Sequence, residues 1–126
     1  MGRKKLLVVD DEPLMRRVLR VTLSTEGFDV VEAASGEEAL ERLSTGSWDF
    51  VLLDLNLPGL DGIDTCRAIR ANSDVPIIVV SIRDSEGDKA AARQAGADDY
   101  LTKPFNFRRL AQRIWSVSLR KSGFRF

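Results

Sequence analysis

Five short apolar runs recur along the chain, and most of them end directly in polar or charged residues. They are Leu6 to Val9, Val30 to Val31, Phe50 to Leu53, Ile77 to Val80, and Tyr100 to Leu101. The first, third and fourth runs are continuous rather than alternating, which is typical of strands covered on both faces in a parallel sheet. We therefore predict five strands, most of them fully buried.

Segments with helical spacing separate these runs, and each has a recognisable start or end. Pro13 suits the first turn of a helix that Gly27 ends, and Ser35 with Glu38 forms a capping box before a second helix. The predicted buried stripes are Met15, Val18, Leu19 and Thr22 in the first helix, and Phe107, Leu110, Ile114 and Val117 in the fifth. The third and fourth helices are predicted over Ile63 to Ile69 and Ser85 to Ala95.

Strand and helix alternate five times with short links, which predicts a flavodoxin-like (βα)5 three-layer α/β sandwich. Right-handed crossovers with helices on both faces require the winding to reverse once, and we predict a parallel five-stranded sheet in the order 2-1-3-4-5. The length of 126 residues fits one domain. We assign this domain to residues 1–121, with 122–126 as a tail or the start of a linker.

Ligands of such folds bind beyond the carboxyl ends of the strands, beside the reversal. In this order the first and third strands flank the reversal, so Asp10 and Asp11 would face Asp54, with Ser81 and Lys103 alongside. Taken one at a time, these residues have plainer interpretations, such as a helix cap for the acidic pair and a solvated surface charge for the lysine. Their joint placement at four strand ends favours a single site.

Composition narrows the chemistry of that site. Nineteen basic and nineteen acidic residues cancel, so net charge predicts neither direct nucleic-acid binding nor membrane binding. The chain has no histidine and a single cysteine, Cys66, which we assign to helix packing. Histidine-based catalysis, an internal disulfide and most zinc or copper sites are thereby excluded, and a reducing, cytoplasmic location is favoured. The first apolar run is too short for a signal peptide or a membrane span.

Three neighbouring carboxylates repel one another unless a positive group lies among them. A hard divalent cation resolves this repulsion, and we predict magnesium, with manganese as an alternative, on Asp11 and Asp54 directly and on Asp10 through water. With such a metal the Asp54 carboxylate can attack phosphorus as a nucleophile. Lys103 would supply a fixed positive charge and Ser81 a hydrogen bond.

Four stretches together carry these polar residues. They run from Val8 to Pro13, from Leu52 to Gly62, over Val80 and Ser81, and from Gly96 to Phe105. Their joint occurrence in this order resembles the receiver domain of two-component response regulators, the CheY-like superfamily, and most closely the receivers attached to winged-helix transcription factors. The resemblance covers the chain to about Lys121.

The resemblance implies that Asp54 is the phosphoacceptor and that Asp10 and Asp11 hold magnesium. It adds the main-chain carbonyl of Asn56 as a further metal ligand. The implied function is that of a signalling module in a phosphorelay rather than an enzyme, because the only reactions it would catalyse are its own phosphorylation and dephosphorylation. The phosphoryl group would then switch the surface that binds the output.

The resemblance also assigns a switch and its tuning residues. Ser81 and Tyr100 would form the switch pair, with the hydroxyl turning toward the phosphoryl group and the ring following inward. Asn56 and Arg83 occupy variable positions that influence how fast the phosphoryl group is lost. The Lys103–Pro104 peptide bond is a candidate for the cis form, which is essentially confined to proline.

The phosphoryl donor must be another molecule, because the chain has no histidine to phosphorylate. The resemblance implies a histidine kinase or a histidine phosphotransfer protein. Such a donor would dock near the first helix, around Leu14 and Met15, and at the loop of Pro104 and Phe105.

Receivers of this kind often form homodimers through the fourth helix, the fifth strand and the fifth helix. This chain departs from their pattern at Arg93, where an apolar residue is usual, and at Arg108 and Arg109, where acidic residues are usual. Lys89 would then meet like charge, so the charge pattern opposes that dimer. Trp115 lies about 100° around its helix from the buried stripe, which fits either a partner surface or partial burial.

Two other classes share parts of this pattern. Haloacid-dehalogenase-like phosphatases also combine a nucleophilic aspartate with a lysine and an acidic pair, but they place the nucleophile first and need a second aspartate two residues later, where this chain has Asn56. Flavin carriers of the same fold need a phosphate-binding loop after the first strand, and the acidic Asp10 and Asp11 would repel a flavin phosphate.

Overall fold

The computed structural model describes residues 3–121, in which strands and helices alternate along the chain. The strands are β1 (Lys4–Val9), β2 (Phe28–Ala33), β3 (Phe50–Leu53), β4 (Ile77–Ser81) and β5 (Asp99–Thr102). The helices are α1 (Pro13–Thr25), α2 (Gly36–Leu43), α3 (Gly62–Asn72), α4 (Glu86–Ala95) and α5 (Phe107–Lys121). The predicted tail, 122–126, lies outside the described residues.

All strand pairs are parallel, and the sheet has the order β2-β1-β3-β4-β5, which confirms the predicted topology. The winding reverses between β1 and β3. Val9 at the end of β1 pairs with Leu53 at the end of β3, and Leu53 pairs with Val79 of β4. This register brings the residues that follow β1 and β3 to the same edge of the sheet.

The continuous apolar runs are explained by burial on both faces of the sheet. In β1, Leu6 and Val8 pack into one cluster with α1 and α5, whereas Leu7 and Val9 pack into a second cluster with α2 and α3. All four side chains are at most 1% exposed. Successive side chains of β1 point to opposite faces of the sheet, and helices cover both faces. Every position of such a strand must therefore be apolar.

The buried stripe predicted for α1 is wrong at Val18, which is 37% exposed. Leu19 and Leu23 are the buried residues of this helix, and Met15 packs against them. These three lie four residues apart on one face, and Val18 is turned about 100° away from Leu19. In α5 the prediction is confirmed, because Leu110, Ile114 and Val117 are the buried residues.

The helix starts follow their cap residues. The Ser35 hydroxyl accepts the Glu38 N–H at 3.1 Å, and the Glu38 carboxylate accepts the N–H of Ala34 at 2.5 Å, one residue before the position of a standard capping box. Ser85 begins α4 by accepting the Asp88 N–H at 3.0 Å. The predicted helix therefore begins one residue too early, because Ser85 is the cap of α4 and does not belong to its first turn.

Arg70 is a structural residue that no motif or pattern in the sequence singles out. Its guanidinium donates to the main-chain carbonyls of Gly96, Ser73 and Val75 at 2.8–3.0 Å and pairs with Asp98 at 3.1 Å. These bonds join the end of α3 to the segments that enter β4 and β5. Cys66 of α3 is fully buried against α4, with its sulfur 3.7 Å from the Ala95 carbonyl oxygen, as its packing assignment expected.

Candidate functional site

Asp10 and Asp54 lie at the point where β1 and β3 end, and main-chain hydrogen bonds extend the sheet by one residue to hold them. The Asp54 N–H donates to the Val9 carbonyl at 2.9 Å, and the Asp10 N–H donates to the Ala33 carbonyl at 3.1 Å. Both residues are buried, at 3% exposure for Asp10 and 6% for Asp54. The sheet therefore places two carboxylates side by side and largely away from water.

Lys103, which follows β5, reaches across β4 and connects these two carboxylates. Its Nζ lies 2.9 Å from Oδ2 of Asp10 and 3.2 Å from Oδ2 of Asp54. The Lys103 N–H donates to the Ser81 carbonyl at 2.8 Å, which fixes the segment after β5 against the end of β4. The peptide bond between Lys103 and Pro104 is cis, the form expected from the sequence.

Each carboxylate divides its two oxygens between the main chain and the lysine. Oδ1 of Asp10 accepts the N–H of Glu12 at 2.9 Å, and Oδ1 of Asp54 accepts the N–H of Asn56 at 3.1 Å. The residue that precedes α1 as its cap is Glu12, which makes no side-chain cap. Asp10 is thus turned toward the site, and the helix-cap interpretation of the acidic pair does not describe it.

Burial raises the pKa of Asp54 above its ordinary value, and the nearby Asp10 carboxylate raises it further. The Asn56 N–H and the Lys103 ammonium favour the charged form and offset part of this rise. Burial also opposes the charge on Lys103, but the two carboxylates outweigh it and raise the lysine pKa. The ammonium is therefore a permanent charge at neutral pH.

Asp11 completes an acidic cluster on the solvent side. One carboxylate oxygen from each of Asp10, Asp11 and Asp54 lies within 4.8 Å of the other two. Asp11 is exposed, so the cluster is open to water on one side. An all-oxygen set of this size fits magnesium or manganese and does not fit zinc or copper, which prefer nitrogen and sulfur ligands.

Gly62 shapes the loop that carries Asp54, a role that the motif from Leu52 to Gly62 does not by itself indicate. Its N–H donates to the Leu55 carbonyl at 3.0 Å. A Cβ atom on Gly62 would overlap the main-chain atoms of Asp54 and Leu55. The one available signal was the choice of glycine, a poor helix former, at the first position of α3.

Ser81 is the last residue of β4 and Tyr100 is the second residue of β5, and both bind the main chain of Arg83. Ser81 is fully buried, and its Oγ accepts the Arg83 N–H at 3.2 Å. The Tyr100 hydroxyl donates to the Arg83 carbonyl at 2.5 Å. Burial raises the pKa of Tyr100, and the Ser81 hydroxyl opposes this rise. The two predicted switch residues thus hold the same short loop from two sides.

The side chain of Arg83 is held by α4. Its guanidinium donates to Oδ1 of Asp88 at 2.6 and 3.1 Å, and the Ser85 hydroxyl donates to the other oxygen of Asp88 at 2.8 Å. Hydrogen bonds from Arg83 and Ser85 hold the pKa of Asp88 below its ordinary value. Sequence spacing gave no indication of this pair.

The four residues predicted as a docking surface line one apolar groove of about 520 Å³ beside the site. Leu14 is 73% exposed, whereas Met15 and Phe105 are partly buried against the core. The groove also includes Val18 and Ile82, both exposed, which the sequence analysis did not assign to it. Val18 belongs to an apolar helical stripe that predicts burial, and Ile82 comes directly after β4. The sequence pattern therefore did not indicate that either side chain is exposed.

The tryptophans occupy different surroundings. Trp115 is 50% exposed, and its ring lies 6.3 Å from the ring of Phe28 between centroids, so it is half packed and half open to solvent. Trp48 packs against the core cluster of α2 and α3 and donates from its indole nitrogen to the Thr45 carbonyl at 3.0 Å.

Comparison with known proteins agrees with this arrangement. The family described as "Response regulator receiver domain" matches residues 6–115. RegX3 of Mycobacterium tuberculosis, a sensory transduction protein, is 45% identical over 94% of this chain and 52% of its own. The transcriptional regulatory protein ResD of Bacillus subtilis is 41% identical over 94% of this chain and 49% of its own. The chain thus spans about half the length of these curated relatives.

Among solved structures, the response regulator protein TrrA of Thermotoga maritima, in complex with Mg(2+)-BeF, superposes with a TM-score of 0.82 at 36% identity. The match covers 90% of this chain and 98% of that structure. None of the helices in residues 3–121 is long and apolar enough to cross a membrane. Since the family match runs from β1 into α5 and takes in every residue of the acidic cluster, the chain belongs to the response regulator receiver domains of two-component signalling.

Proposed function

We propose that Asp54 accepts a phosphoryl group from a phosphohistidine of a separate histidine kinase or phosphotransfer protein. The observation that carries this proposal is the position of Lys103, whose Nζ bridges the buried carboxylates of Asp10 and Asp54 in an acidic cluster that is open to solvent at Asp11. Acceptors of this kind need a positioned nucleophile and fixed positive charge for the phosphoryl oxygens.

In the transfer, an oxygen of ionised Asp54 forms a bond to phosphorus as the bond to the donor's imidazole nitrogen breaks. The leaving nitrogen keeps the electron pair and becomes protonated. Lys103 favours this step because its ammonium lies 3.2 Å from Asp54 and can stabilise the negative charge of the phosphoryl oxygens during transfer. The Asn56 N–H holds the second carboxylate oxygen and so orients the attacking one.

We assign the metal to Asp10, Asp11 and Asp54, with the main-chain carbonyl of Asn56 as a further ligand. The oxygen-only cluster fits magnesium, and manganese as the alternative. When bound, this cation would neutralise charge between the carboxylates and the phosphoryl oxygens. Asp10 and Asp54 keep Lys103 as a second positive neighbour, which offsets the repulsion between these two buried carboxylates and the exposed Asp11.

The phosphoryl group would act on the output through Ser81 and Tyr100. Both hold the Arg83 main chain, Ser81 by accepting its N–H and Tyr100 by donating to its carbonyl. If the Ser81 hydroxyl turns toward a phosphoryl group on Asp54, it gives up this bond, and the loop and the Tyr100 ring must adjust. We assign Asn56 and Arg83 to tuning the lifetime of the phosphoryl group, since both lie on loops that border Asp54.

The donor would dock in the groove of Leu14, Met15, Pro104 and Phe105. This groove borders Lys103 and Glu12, and its exposed lining is largely apolar. An apolar helix surface carrying the phosphohistidine would bury Leu14 there and bring its imidazole toward Asp54. We propose residues 1–121 as the receiver unit, working in the cytoplasm as the regulatory part of a winged-helix transcription factor, as the regulators ResD and RegX3 are about twice as long as the match.

The direct test is incubation with acetyl phosphate and magnesium, followed by intact mass measurement of the chain. The parent should gain one phosphoryl group, and Asp54→Asn should gain none. Asp29→Asn is the matched control, because Asp29 is an exposed aspartate of β2 outside the site. Labelling of Asp54→Asn at the rate of the parent would reject the assignment.

The phosphatase alternative fails at a specific position. It needs an acid two residues after the nucleophile, and Asn56 is there with its side chain exposed and its N–H on Asp54. We expect no steady turnover of a generic phosphate ester by the parent chain. Sustained release of phosphate that depends on Asp54 would favour the enzyme instead.

A further inference from the structure

Arg16 lies in the first turn of α1, and its side chain binds the main chain of Asp10. Its Nη1 donates to the Asp10 carbonyl oxygen at 2.8 Å, and its Nε donates to Oε1 of Glu32 on β2 at 3.1 Å. The side chain is only 17% exposed. One guanidinium therefore joins the start of α1, the residue that follows β1, and the neighbouring strand β2.

A cation is an unfavourable choice for this position of a helix. The N-terminus of a helix carries a partial positive charge, which disfavours another positive charge beside it. The first turn of α1 also contains no acidic residue that would compensate Arg16. Departures from a local rule of this kind are expected where a functional contact requires them. The two contacts of the guanidinium, and not the helix, account for an arginine at this position.

The bond to Asp10 orients two residues. A peptide group is planar, so the Asp10 carbonyl, the Asp11 nitrogen and the Asp11 Cα lie in one plane. The other side of Asp10 is fixed as well, because its N–H donates to the Ala33 carbonyl at 3.1 Å. By holding the carbonyl, Arg16 fixes the direction in which the chain presents both Asp10 and Asp11.

Asp11 depends on this main-chain support more than Asp10 does. The Asp10 carboxylate is held directly, by the Glu12 N–H and by Nζ of Lys103, each at 2.9 Å. The exposed Asp11 carboxylate makes no hydrogen bond or ion pair within residues 3–121. Its direction is therefore set by the main chain, and the peptide group that Arg16 holds is the part next to it.

Glu32 compensates the charge of Arg16. An unpaired guanidinium beside the acidic cluster would oppose the binding of a metal cation there. Glu32 pairs with Arg16 through Oε1 and with Arg20 through Oε2, both at 3.1 Å. The register of β1 and β2 sets Glu32 opposite Val8, so the carboxylate lies near the end of β1. Arg16 can thus hold the main chain while its charge is met by a carboxylate outside the cluster.

We propose that Arg16 is a positioning residue for the metal, with Glu32 as its anchor. Arg16 holds the peptide group between Asp10 and Asp11 so that both carboxylates face one cation, and it contacts neither the cation nor the phosphoryl group. Removing a group that orients metal ligands from outside typically costs about 10–100-fold in metal affinity. This role rests on the proposed function, because it takes Asp10, Asp11 and Asp54 as the metal ligands.

Titration with Mn²⁺, followed by the EPR signal of the free ion, tests this role without phosphorylation. Arg16→Met should bind Mn²⁺ about tenfold more weakly than the parent. The matched control is Arg17→Met, which makes the same charge change at the next residue of α1. Arg17 is exposed and has no ion pair within residues 3–121. Arg17→Met should bind at least as tightly as the parent, because loss of a positive charge favours a cation.

Glu32→Gln tests the anchor with less disturbance of the fold. It leaves the Arg16 guanidinium without its carboxylate, and Mn²⁺ binding should weaken about twofold to fivefold, the range expected for a partly exposed charge. Asp29→Asn makes the same charge change at an exposed position of the same strand and should bind as the parent does.

Two further measurements separate positioning from a direct role. In Arg16→Met, the magnesium concentration that gives half the maximal rate of phosphorylation by acetyl phosphate should rise about tenfold, whereas the maximal rate should stay within about twofold of the parent. In the metal-free chain, the amides of Asp10 and Glu12 should exchange hydrogen faster in Arg16→Met than in Arg17→Met. The amide of Val8 should exchange at the same rate in both.

Three outcomes would overturn the proposal. The first is equal Mn²⁺ affinity of Arg16→Met and Arg17→Met, which would leave Arg16 a purely structural residue. The second is a maximal rate that falls while the magnesium dependence stays unchanged. The third is a parent that binds no Mn²⁺, which would remove the metal assignment as well. A parent that binds Mn²⁺ but takes no phosphoryl group would reject Asp54 as the acceptor and leave the positioning result intact.

Discussion

The ammonium nitrogen of Lys103 lies 3.2 Å from Oδ2 of Asp54, although the two residues are 49 positions apart in the chain. The contact depends on the order of the strands, because β4 separates the strand before Asp54 from the strand before Lys103. Lys103 spans β4 with its long side chain and also reaches Asp10. Its position makes it the fixed positive charge of the site.

Replacing Lys103 by methionine should slow phosphorylation of Asp54 by acetyl phosphate by about 10²-fold, the usual cost of removing one group that stabilises charge in the transition state. Methionine keeps much of the length of the side chain but has no charge. Lys4→Met, at the exposed start of β1, is the control and should phosphorylate as the parent does. The rate is read from intact mass over time, and a Lys103→Met rate within twofold of the parent would contradict the role.

Asp54→Asn should have a higher free energy of unfolding than the parent at neutral pH when EDTA is present. The reason is the raised pKa of Asp54, which means that folding disfavours its ionised form. The contribution of Asp54 to the free energy of unfolding is fully present below the ordinary aspartate pKa, about 4. It is lost as pH rises through the pKa that Asp54 has in the folded chain. Asparagine resembles the protonated form, so its advantage should vanish in acid.

Urea denaturation of both chains across pH, without metal, measures this difference. Asp29→Asn is exposed and should show no pH-dependent advantage. A lower stability of Asp54→Asn at neutral pH would mean that Lys103 and the Asn56 N–H outweigh burial.

The sequence predicts the sheet and the convergence of its polar ends because both follow from local pattern. Continuous apolar runs indicate strands buried on both faces, and one reversal of winding places Asp10 beside Asp54. Contacts that depend on the direction of individual side chains cannot be predicted from the sequence pattern. Val18 is apolar and belongs to the predicted stripe, but only packing decides that Leu23 is buried instead. Arg70 looks like any surface arginine, since its acceptors come from two separate segments, one before β4 and one before β5.

Arg70→Met should destabilise the protein by about 3 kcal/mol, because it removes the charged donor from three carbonyls and leaves Asp98 with only its longer ion pair to Lys121, at 3.4 Å. The Arg70 side chain is 20% exposed, so water can replace these bonds only in part. Arg67→Met, three residues earlier on α3, removes an ion pair with Asp64 in which both side chains are more than half exposed, and should cost about 0.5 kcal/mol or less. Urea denaturation of the two variants compares them directly, and equal costs would contradict the role of Arg70.

Gly62→Ala should destabilise the protein by about 2–3 kcal/mol, the usual cost of forcing atoms into a packed place. The new Cβ would overlap the main chain at Asp54 and Leu55, which cannot move without shifting the loop that carries Asp54. Phosphorylation of the folded variant should therefore slow as well. The control is Gly87→Ala, where the nearest atom to the new Cβ is the Ser85 hydroxyl oxygen at 3.8 Å, and the helix should gain about 0.5 kcal/mol. A neutral Gly62→Ala would show that the loop adapts.

Magnesium should raise the unfolding temperature of the parent, and Asp11→Asn should lose most of this effect. A ligand that binds only the folded chain adds about 2.7 kcal/mol of stability at a hundredfold excess over its dissociation constant. Asp11 is the exposed member of the acidic cluster, so its substitution removes a proposed metal ligand without breaking a buried contact. Glu26→Gln, an exposed acid after α1, removes the same charge elsewhere and should respond to magnesium as the parent does. Equal magnesium responses in all three chains would place the cation outside the cluster of Asp10, Asp11 and Asp54, and the proposed chemistry would lose its metal.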